Sequence, residues 1–292
     1  MSHIESKITA EYNGFIIKDY LKKVLQISSR QIKKLKALDD GILLNSKHAI
    51  VIDKLCEGDV LSVNMTEEER EYEYSDTVPD IIYEDDYYLY VNKPYNMTVY
   101  KCGDVKENLL SSVCGFFAKL GRSIVFRPFY RLDKDTTGVV VIAKDPLIMN
   151  STEVNKFYYA VCEGELENAG VVSNRIQLEE GSRIKREAGN EGETACTAFQ
   201  KVKSDGEFSL VKFKLFTGRT HQIRVHMSYL GHPLCGDDLY GGSLSVINRQ
   251  ALHCKTVLVK NPVIGYERLI DTEFPDDMRN SFPNLCISEE KE

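Results

Sequence analysis

Several features that define particular classes of protein are missing from this sequence. No segment approaches the roughly 18 consecutive apolar residues of a membrane-spanning helix. The N-terminal segment is polar and lacks the apolar core of a signal peptide. The eight cysteines include no C-x-x-C pair, which disfavours a zinc site. We therefore expect a cytoplasmic protein whose cysteines are reduced thiols.

The charge distribution is more informative than the net charge. The 292 residues carry a formal net charge of -7, which by itself argues against a nucleic-acid partner. Between Glu67 and Asp86, however, ten acidic residues stand against Arg70 alone, so the rest of the chain is slightly basic. The composition is that of an ordinary globular protein and permits a nucleic-acid partner.

Residues 14–64 are predicted to form a small unit of two helices and two strands. Apolar residues recur at helical spacing over residues 16–27, and Ser28 and Ser29 can cap a second helix over residues 30–38. The two helices carry seven basic residues against Asp19 alone: Lys18, Lys22, Lys23, Arg30, Lys33, Lys34 and Lys36. This pattern is typical of a phosphate-binding surface, although a solvated helix face would have the same composition.

The rest of the chain is predicted to form a larger domain. We interpret residues 65–80 as an exposed acidic linker, residues 81–278 as the domain and residues 279–292 as a tail. Strands outnumber helices, and we expect one helix after Asp104 and a charged loop over residues 180–193. The fold class is therefore α+β, with a mixed and largely antiparallel sheet.

The stretch Y-R-L-D-K-D-T-T-G at residues 130–138 is the first candidate for chemistry. It places Asp133 in a polar turn before a β-branched run at residues 139–144, which reads as a buried strand. A carboxylate held there can face a cleft on a rigid element, as a nucleophile requires. Taken alone, the turn could equally be structural.

A second cluster follows at residues 217–233. Arg219, His221, Arg224, His226 and His232 lie close together in the sequence. His221 and His226 are five residues apart without an intervening glutamate, which is not the spacing of a helical zinc pair. The arginines are better candidates, because a guanidinium can fix a carboxylate and keep it ionised.

Three motifs together resemble the RluA-type pseudouridine synthases. The turn at residues 130–138 resembles H-R-L-D-x-x-T-S-G, and K-F-Y-Y-A at residues 156–160 resembles K-x-Y-x-A. T-G-R-T-H-Q-I-R-V-H at residues 217–226, with G-H-P at 231–233 and G-D-D-L-Y-G at 236–241, resembles the third. V-N-K-P at residues 91–94 also matches. In addition, residues 14–64 resemble the alpha-L RNA-binding domain, which often precedes this catalytic domain.

The resemblance implies an isomerase that converts uridine in RNA to pseudouridine. It assigns Asp133 as the catalytic carboxylate, Arg224 as its counter-charge and Tyr158 as the aromatic that stacks on the target base, although Tyr158 could also be a core residue. The predicted substrate-binding residues are Arg131, Arg219, His221, Lys22, Lys23, Arg30, Lys33 and Lys34. No cofactor is expected, because the isomerisation involves neither redox chemistry nor hydrolysis. The target base must be flipped out or single-stranded.

The resemblance leaves the substrate and part of the chemistry open. Tyr130 stands where the family usually has histidine, which affects RNA contacts and target choice more than the reaction. We expect ribosomal large-subunit RNA as substrate and transfer RNA as the second candidate, with a monomeric enzyme. The other hypotheses are a non-catalytic RNA-binding protein on the same scaffold and a base hydrolase that uses Asp133 with water.

Overall fold

The computed structural model describes residues 2–66, 71–103 and 106–286. Within these ranges the chain forms a small N-terminal unit and a larger domain, each built on its own β-sheet and core. The predicted α+β class with a largely antiparallel sheet is confirmed. No helix in the described ranges is long and apolar enough to cross a membrane.

The N-terminal unit packs two helices against a four-stranded sheet of order β1-β4-β2-β3. Its elements are β1 (Ser2–Lys7), α1 (Ile17–Lys23), α2 (Ser29–Leu35), β2 (Ile42–Leu44), β3 (Lys47–His48) and β4 (Val60–Met65). Ser28 caps α2 through a capping box with Gln31, as the sequence indicates. The sheet begins well before the predicted boundary at residue 14, because β1 pairs with β4 along its whole length.

The larger domain contains the remaining elements. Its strands are β5 (Asp80–Glu84), β6 (Tyr88–Lys93), β7 (Thr137–Ala143), β8 (Glu153–Glu163), β9 (Ala169–Leu178), β10 (Arg186–Gly189), β11 (Glu193–Ser204), β12 (Phe208–Leu215), β13 (Leu252–Asn261) and β14 (Tyr266–Asp271). Its helices are α3 (Leu109–Lys119), α4 (Gln222–Tyr229), α5 (Asp276–Ser281) and α6 (Pro283–Cys286). Asn108 and Ser111 form the capping box of α3, while the predicted cap Asp104 lies outside the described residues.

One strand joins the two halves of the large sheet. The order is β10-β9-β11-β12-β8-β13-β7-β6-β5, and β14 adds to β13. The pairings are antiparallel except between β13 and β7. Gly138, the second residue of β7, has a φ of 119°, and a Cβ at this position would collide with the Cys254 backbone on β13. The turn that carries Asp133 is therefore tied closely to the centre of the sheet.

Three segments differ from the predictions. Residues 180–193, predicted as a loop, include β10, which pairs with β9 at the edge of the sheet. The acidic linker packs along α3, where Ser75 N donates to Ser111 O over 3.1 Å and Lys119 Nζ lies 2.7 Å from Asp76 Oδ1. The described part of the predicted tail forms the second half of α5 and all of α6, and Phe282 and Leu285 are buried in a core cluster. In each case tertiary packing overrides the local charge pattern.

The two units share buried contacts. Leu147 belongs to the larger domain but is fully buried in the N-terminal core. Gln31 Nε2 on α2 donates to Pro146 O over 2.6 Å, and Asn150 Nδ2 donates to Gln31 Oε1 over 3.0 Å. The basic helices are therefore held at a defined position beside the larger domain.

Candidate active site

The two main sequence motifs meet at one deep cleft. A cavity of about 930 Å³ is lined by the turn at residues 128–136, the first half of β8, the segment before α4 and the loop at residues 98–102. The predicted catalytic residues Asp133, Tyr158 and Arg224 all line it. So do Arg131, Arg219 and His221. The structure thus brings together residues that are up to 93 positions apart in the chain.

The turn that carries Asp133 is held from behind by buried polar groups. Lys93 is fully buried, and its ammonium donates to Lys134 O, Met97 O and Pro94 O over 3.0, 2.7 and 2.8 Å. Burial lowers the pKa of Lys93 to about 7, while the nearby Asp135 and Asp133 carboxylates favour its charged form. The three carbonyl acceptors match the three donors of an ammonium group.

A second set of contacts comes from the segment before β13. Arg249 Nη1 donates to Asp135 O over 3.2 Å, and its Nε and Nη2 form a bidentate pair with Asp277 on α5 at 2.6 and 2.9 Å. Next to it, His253 Nδ1 lies 2.8 Å from Thr137 Oγ1. The turn is therefore positioned by α5 and β13 as well as by its own strand.

Asp133 faces the cleft between a guanidinium and an imidazole. Its side chain is 31% exposed, and its Oδ2 lies 3.9 Å from Arg224 Nη1 and 4.0 Å from His221 Nε2. These distances allow electrostatic attraction but exceed direct hydrogen bonds. The carboxylate is consequently flanked by positive charge and still accessible to a substrate.

Arg224 is held by a different carboxylate, Asp237. Its Nε and Nη2 donate to the two oxygens of the fully buried Asp237 side chain, both over 2.7 Å. Burial disfavours the charge on Arg224, but Asp237 and Asp133 outweigh burial and raise its pKa. The resemblance predicts Arg224 as the counter-charge of Asp133. The structure shows that Asp237 fixes Arg224, which leaves Nη1 to face Asp133.

His221 stands immediately before α4 in a left-handed backbone conformation, with a φ of 58°. This conformation is uncommon for a residue other than glycine. The His221 Nδ1 atom lies 2.8 Å from the Tyr240 hydroxyl, which also accepts from Arg186 N. Burial lowers the pKa of His221, although the Asp133 carboxylate opposes this change. His221 is therefore a neutral imidazole at pH 7, with Nε2 directed toward Asp133.

Tyr158 and Tyr130 meet at the Cys254 thiol. Tyr158 is buried on β8 opposite Cys254 on β13, and the side chains of both tyrosines interact electrostatically with the thiol. Tyr130 also donates to Val139 O over 2.8 Å, and Lys156 Nζ lies 4.3 Å above its ring. Burial, reinforced by Cys254 and Asp133, raises the pKa of Tyr158 well above its usual value. Tyr158 is thus a protonated phenol, suited to stacking and to hydrogen-bond donation.

The remaining predicted substrate-binding residues fall into two groups. Arg131 is exposed at the cleft, whereas Arg219 is fixed by Glu193 Oε1 at 2.6 Å and Thr194 O at 3.1 Å on β11. The other five do not line the cleft and lie on the helices of the N-terminal unit: Lys22, Lys23, Arg30, Lys33 and Lys34. A groove of about 450 Å³ there is lined by four lysines: Lys18, Lys22, Lys33 and Lys36.

Sequence reasoning missed several residues that shape the site. Asp237 lies within the G-D-D-L-Y-G segment and Lys93 within V-N-K-P, so both motifs contained a signal. Arg249 and Cys254 reach the turn only through long-range pairing and gave no local signal. In the ranges that the structure describes, no group of three or more His, Cys, Asp or Glu residues could hold a metal ion.

Comparisons with known proteins agree with one another. The family described as RNA pseudouridylate synthase matches residues 87–229. An uncharacterized RNA pseudouridine synthase, YjbO of Bacillus subtilis, is 34% identical over 273 residues, covering 90% of this chain and 96% of that protein. The ribosomal large subunit pseudouridine synthase D of Escherichia coli is 31% identical over 268 residues, covering 82% and 81%.

Solved structures show the same fold. The human RNA pseudouridylate synthase domain containing 4 superposes with a TM-score of 0.57 at 23% identity. The match covers 72% of this chain and 94% of the human one.

Proposed function

The chain belongs to the RluA-type family of RNA pseudouridine synthases and isomerises uridine to pseudouridine in RNA, and on this premise we propose that large-subunit ribosomal RNA is its substrate. The support is the 31% identity to the Escherichia coli ribosomal large subunit pseudouridine synthase D over 82% of this chain. Transfer RNA is the alternative substrate.

Asp133 is the proposed catalytic carboxylate. The observation that carries this assignment is its position: it is one-third exposed at the floor of the cleft, with Arg224 Nη1 at 3.9 Å and His221 Nε2 at 4.0 Å. Asp237 holds Arg224 in a fixed orientation, so the positive charge beside Asp133 is preorganised. A carboxylate in this setting lies beside a fixed positive charge and is accessible to a substrate.

The reaction breaks the bond between uracil N1 and ribose C1′ and forms a bond between C5 and C1′. A proton leaves C5, and N1 gains one, so the product is an isomer of the substrate. Asp133 either adds to C1′ or promotes loss of the base in another way. Tyr158 lines the same cleft as a protonated phenol, where it stacks on the uracil while the base turns.

The N-terminal unit is proposed to bind the RNA as an alpha-L type domain. Four exposed lysines line its groove: Lys18, Lys22, Lys33 and Lys36. Such a surface attracts phosphates without reading sequence. Buried contacts at Leu147 and Gln31 hold this surface beside the larger domain, so one RNA can reach both regions.

The test is release of tritium from uridine labelled at C5, in unmodified large-subunit ribosomal RNA and in transfer RNA. Asp133→Asn keeps the shape of the side chain and removes its charge, so we expect no release above background. Asp135→Asn is the matched control, because Asp135 belongs to the same turn but does not line the cleft. We expect it to stay active, since its amide oxygen can still accept from Asn96 N.

Each outcome has a defined meaning. Release by Asp133→Asn at the wild-type rate would exclude Asp133 as the catalytic carboxylate. Release of tritium by the wild type from transfer RNA alone would identify transfer RNA as the substrate. Free uracil in the supernatant would indicate hydrolysis in place of isomerisation.

A further inference from the structure

A second cavity opens beside the cleft, between the start of β8 and the end of β12. It has a volume of about 260 Å³, and we call it the side pocket. Its walls include Asn155, Lys156, Lys214, Phe216, Thr217 and Gly218. Lys156 and Gly218 also line the cleft, so the two cavities share a wall and adjoin. A chain that enters the cleft from this side passes through the side pocket.

Phe216 forms an aromatic platform in the side pocket. The residue is 59% exposed and lines the side pocket, so its ring is accessible to a ligand there. Its backbone is rigid, because Phe216 N donates to Cys196 O on β11 over 3.1 Å. The next residue is fixed as well: Thr217 Oγ1 accepts from Cys196 N over 2.9 Å and donates to Gln222 Oε1 over 2.8 Å. The backbone that carries the ring therefore has a defined place at the cleft edge.

Two lysines bring positive charge to this platform. Lys214 Nζ lies 5.6 Å from the centre of the Phe216 ring, and Lys156 Nζ lies 4.3 Å from the centre of the Tyr130 ring at the shared wall. Neither amine is paired with a carboxylate in the described residues, in contrast to Arg219 and Arg224 nearby. The side pocket thus combines an open aromatic face with two uncompensated cations.

We propose that the side pocket binds the nucleotide next to the target uridine, with its base stacked on Phe216 and its phosphate near Lys156 and Lys214. An aromatic ring beside ammonium groups is the combination that holds single-stranded nucleic acid. Stacking tolerates any base, so this subsite fixes the path of the strand and leaves its sequence free. The inference rests on the proposed function, because it places the strand whose uridine reaches Asp133.

The kinetic test compares Phe216→Ala, Phe216→Tyr and Lys214→Ala by tritium release from C5-labelled large-subunit ribosomal RNA. We expect Phe216→Ala to raise KM roughly tenfold, the change typical for one lost stacked base, and to leave kcat within about twofold. Phe216→Tyr should restore the wild-type KM. Leu269→Ala is the matched control: this residue is 61% exposed on β14, outside both cavities, and its loss should change neither constant.

A cross-link gives an independent readout. With the photoreactive p-benzoylphenylalanine at position 216, we expect cross-links to the one or two nucleotides that flank the modified uridine. Cross-links mapped far from that uridine, or an unchanged KM in both Phe216→Ala and Lys214→Ala, would overturn the proposal. Loss of kcat alone would also overturn it, because that would indicate a structural role for Phe216.

Failure of the proposed substrate is distinguishable from failure of the subsite. If the wild type releases no tritium from ribosomal RNA, the same kinetic series is run with transfer RNA, and the subsite is judged there by the KM of Phe216→Ala. A cross-link from position 216 to a protein in place of RNA would assign the side pocket to a protein partner. It would refute the proposal that the side pocket binds a nucleotide.

Discussion

The cleft and the N-terminal groove are both positively charged, but they hold their charges in opposite ways. In and around the cleft, Arg219, Arg224 and Arg249 are each fixed by a carboxylate at 2.6 to 2.7 Å. In the groove, Lys18, Lys22, Lys33 and Lys36 are exposed on the surface of short helices. The first arrangement fixes where a charge lies, and the second supplies charge that can follow a mobile partner.

The paired arginines of the cleft and the exposed lysines of the groove suit the different functions that we propose for the two regions. Bond breaking at C1′ depends on the position of Asp133 to within a fraction of an ångström, and the paired arginines preserve that position. Binding of an RNA backbone depends mainly on how many phosphates are neutralised, which flexible lysines do well. Changes in the two regions should therefore affect different kinetic constants.

Asp237→Asn should give the largest effect. The change leaves Arg224 buried without its bidentate charged partner, so its guanidinium is no longer held in a fixed orientation beside Asp133. A misplacement of about 1 Å costs about a hundredfold in rate, and we expect kcat to fall by that factor with little change in KM. The neighbouring Asp238→Asn is the control, because Asp238 is exposed. An Asp237→Asn enzyme that is folded and fully active would contradict the fixed-charge interpretation of the cleft.

Neutralising the groove should affect binding instead. Substitution of Lys18, Lys22, Lys33 and Lys36 by glutamine should raise KM roughly tenfold at physiological salt and leave kcat unchanged. The dependence of log affinity on log salt should flatten by about three, since each lost phosphate contact removes roughly 0.7 to 0.9 from the slope. Lys119→Gln with Lys260→Gln is the control, because both amines already pair with carboxylates. An unchanged salt slope would remove the groove from the RNA interface.

A smaller effect is expected from the support behind the turn. Asp277→Asn removes the charge that anchors Arg249, whose Nη1 atom donates to Asp135 O. We expect kcat to fall about fivefold and Tm to fall by a few degrees, because a buried arginine loses its partner. Asp276→Asn, at the exposed neighbouring position, should change neither. If Asp277→Asn lowers Tm without lowering kcat, α5 stabilises the fold but does not position Asp133.

The smallest effect at neutral pH is expected from the buried His226, whose contribution to the free energy of unfolding depends on pH. Burial lowers the pKa of His226 on α4 from 6.5 to about 4, so between these values the unfolded chain binds a proton that the folded chain does not. Stability is fully present above pH 6.5 and is lost as pH falls toward 4. At pH 5 the cost is about 2 kcal/mol, and His226→Asn should remove it. Urea unfolding at pH 7 and pH 5 measures this; equal pH dependence in both proteins would refute it.

Local patterns predicted those parts of the structure that local residues determine. The capped α2, the strand at β7 and the helix α3 follow from spacing, capping and β-branched runs. β1 was missed because S-H-I-E-S-K contains a single large apolar residue and is stabilised by pairing with β4. β10 was predicted as loop because its charged composition hides an edge strand.

The residues of the site likewise include some that local motifs predict and some that only long-range contacts reveal. The motifs indicated Asp133, Tyr158 and Arg224, and the structure places all three at the cleft. The supports were not predictable, because Asp237, Lys93 and Arg249 act through contacts across the chain. The roles of these residues in catalysis stay predictions until the variants are measured.

The central place of β13 also bears on how the enzyme is made. On one side β13 pairs with β7 and on the other with β8, so the half-sheet β5 to β7 meets the half-sheet β8 to β12 through a strand synthesised after both. While the nascent chain grows, the Asp133 turn exists before His253 and Arg249, which hold it from behind. The paired strands of the N-terminal unit all lie within the first 65 residues, so this unit can fold first. During translation, the proposed RNA-binding surface should therefore form before the active site is complete.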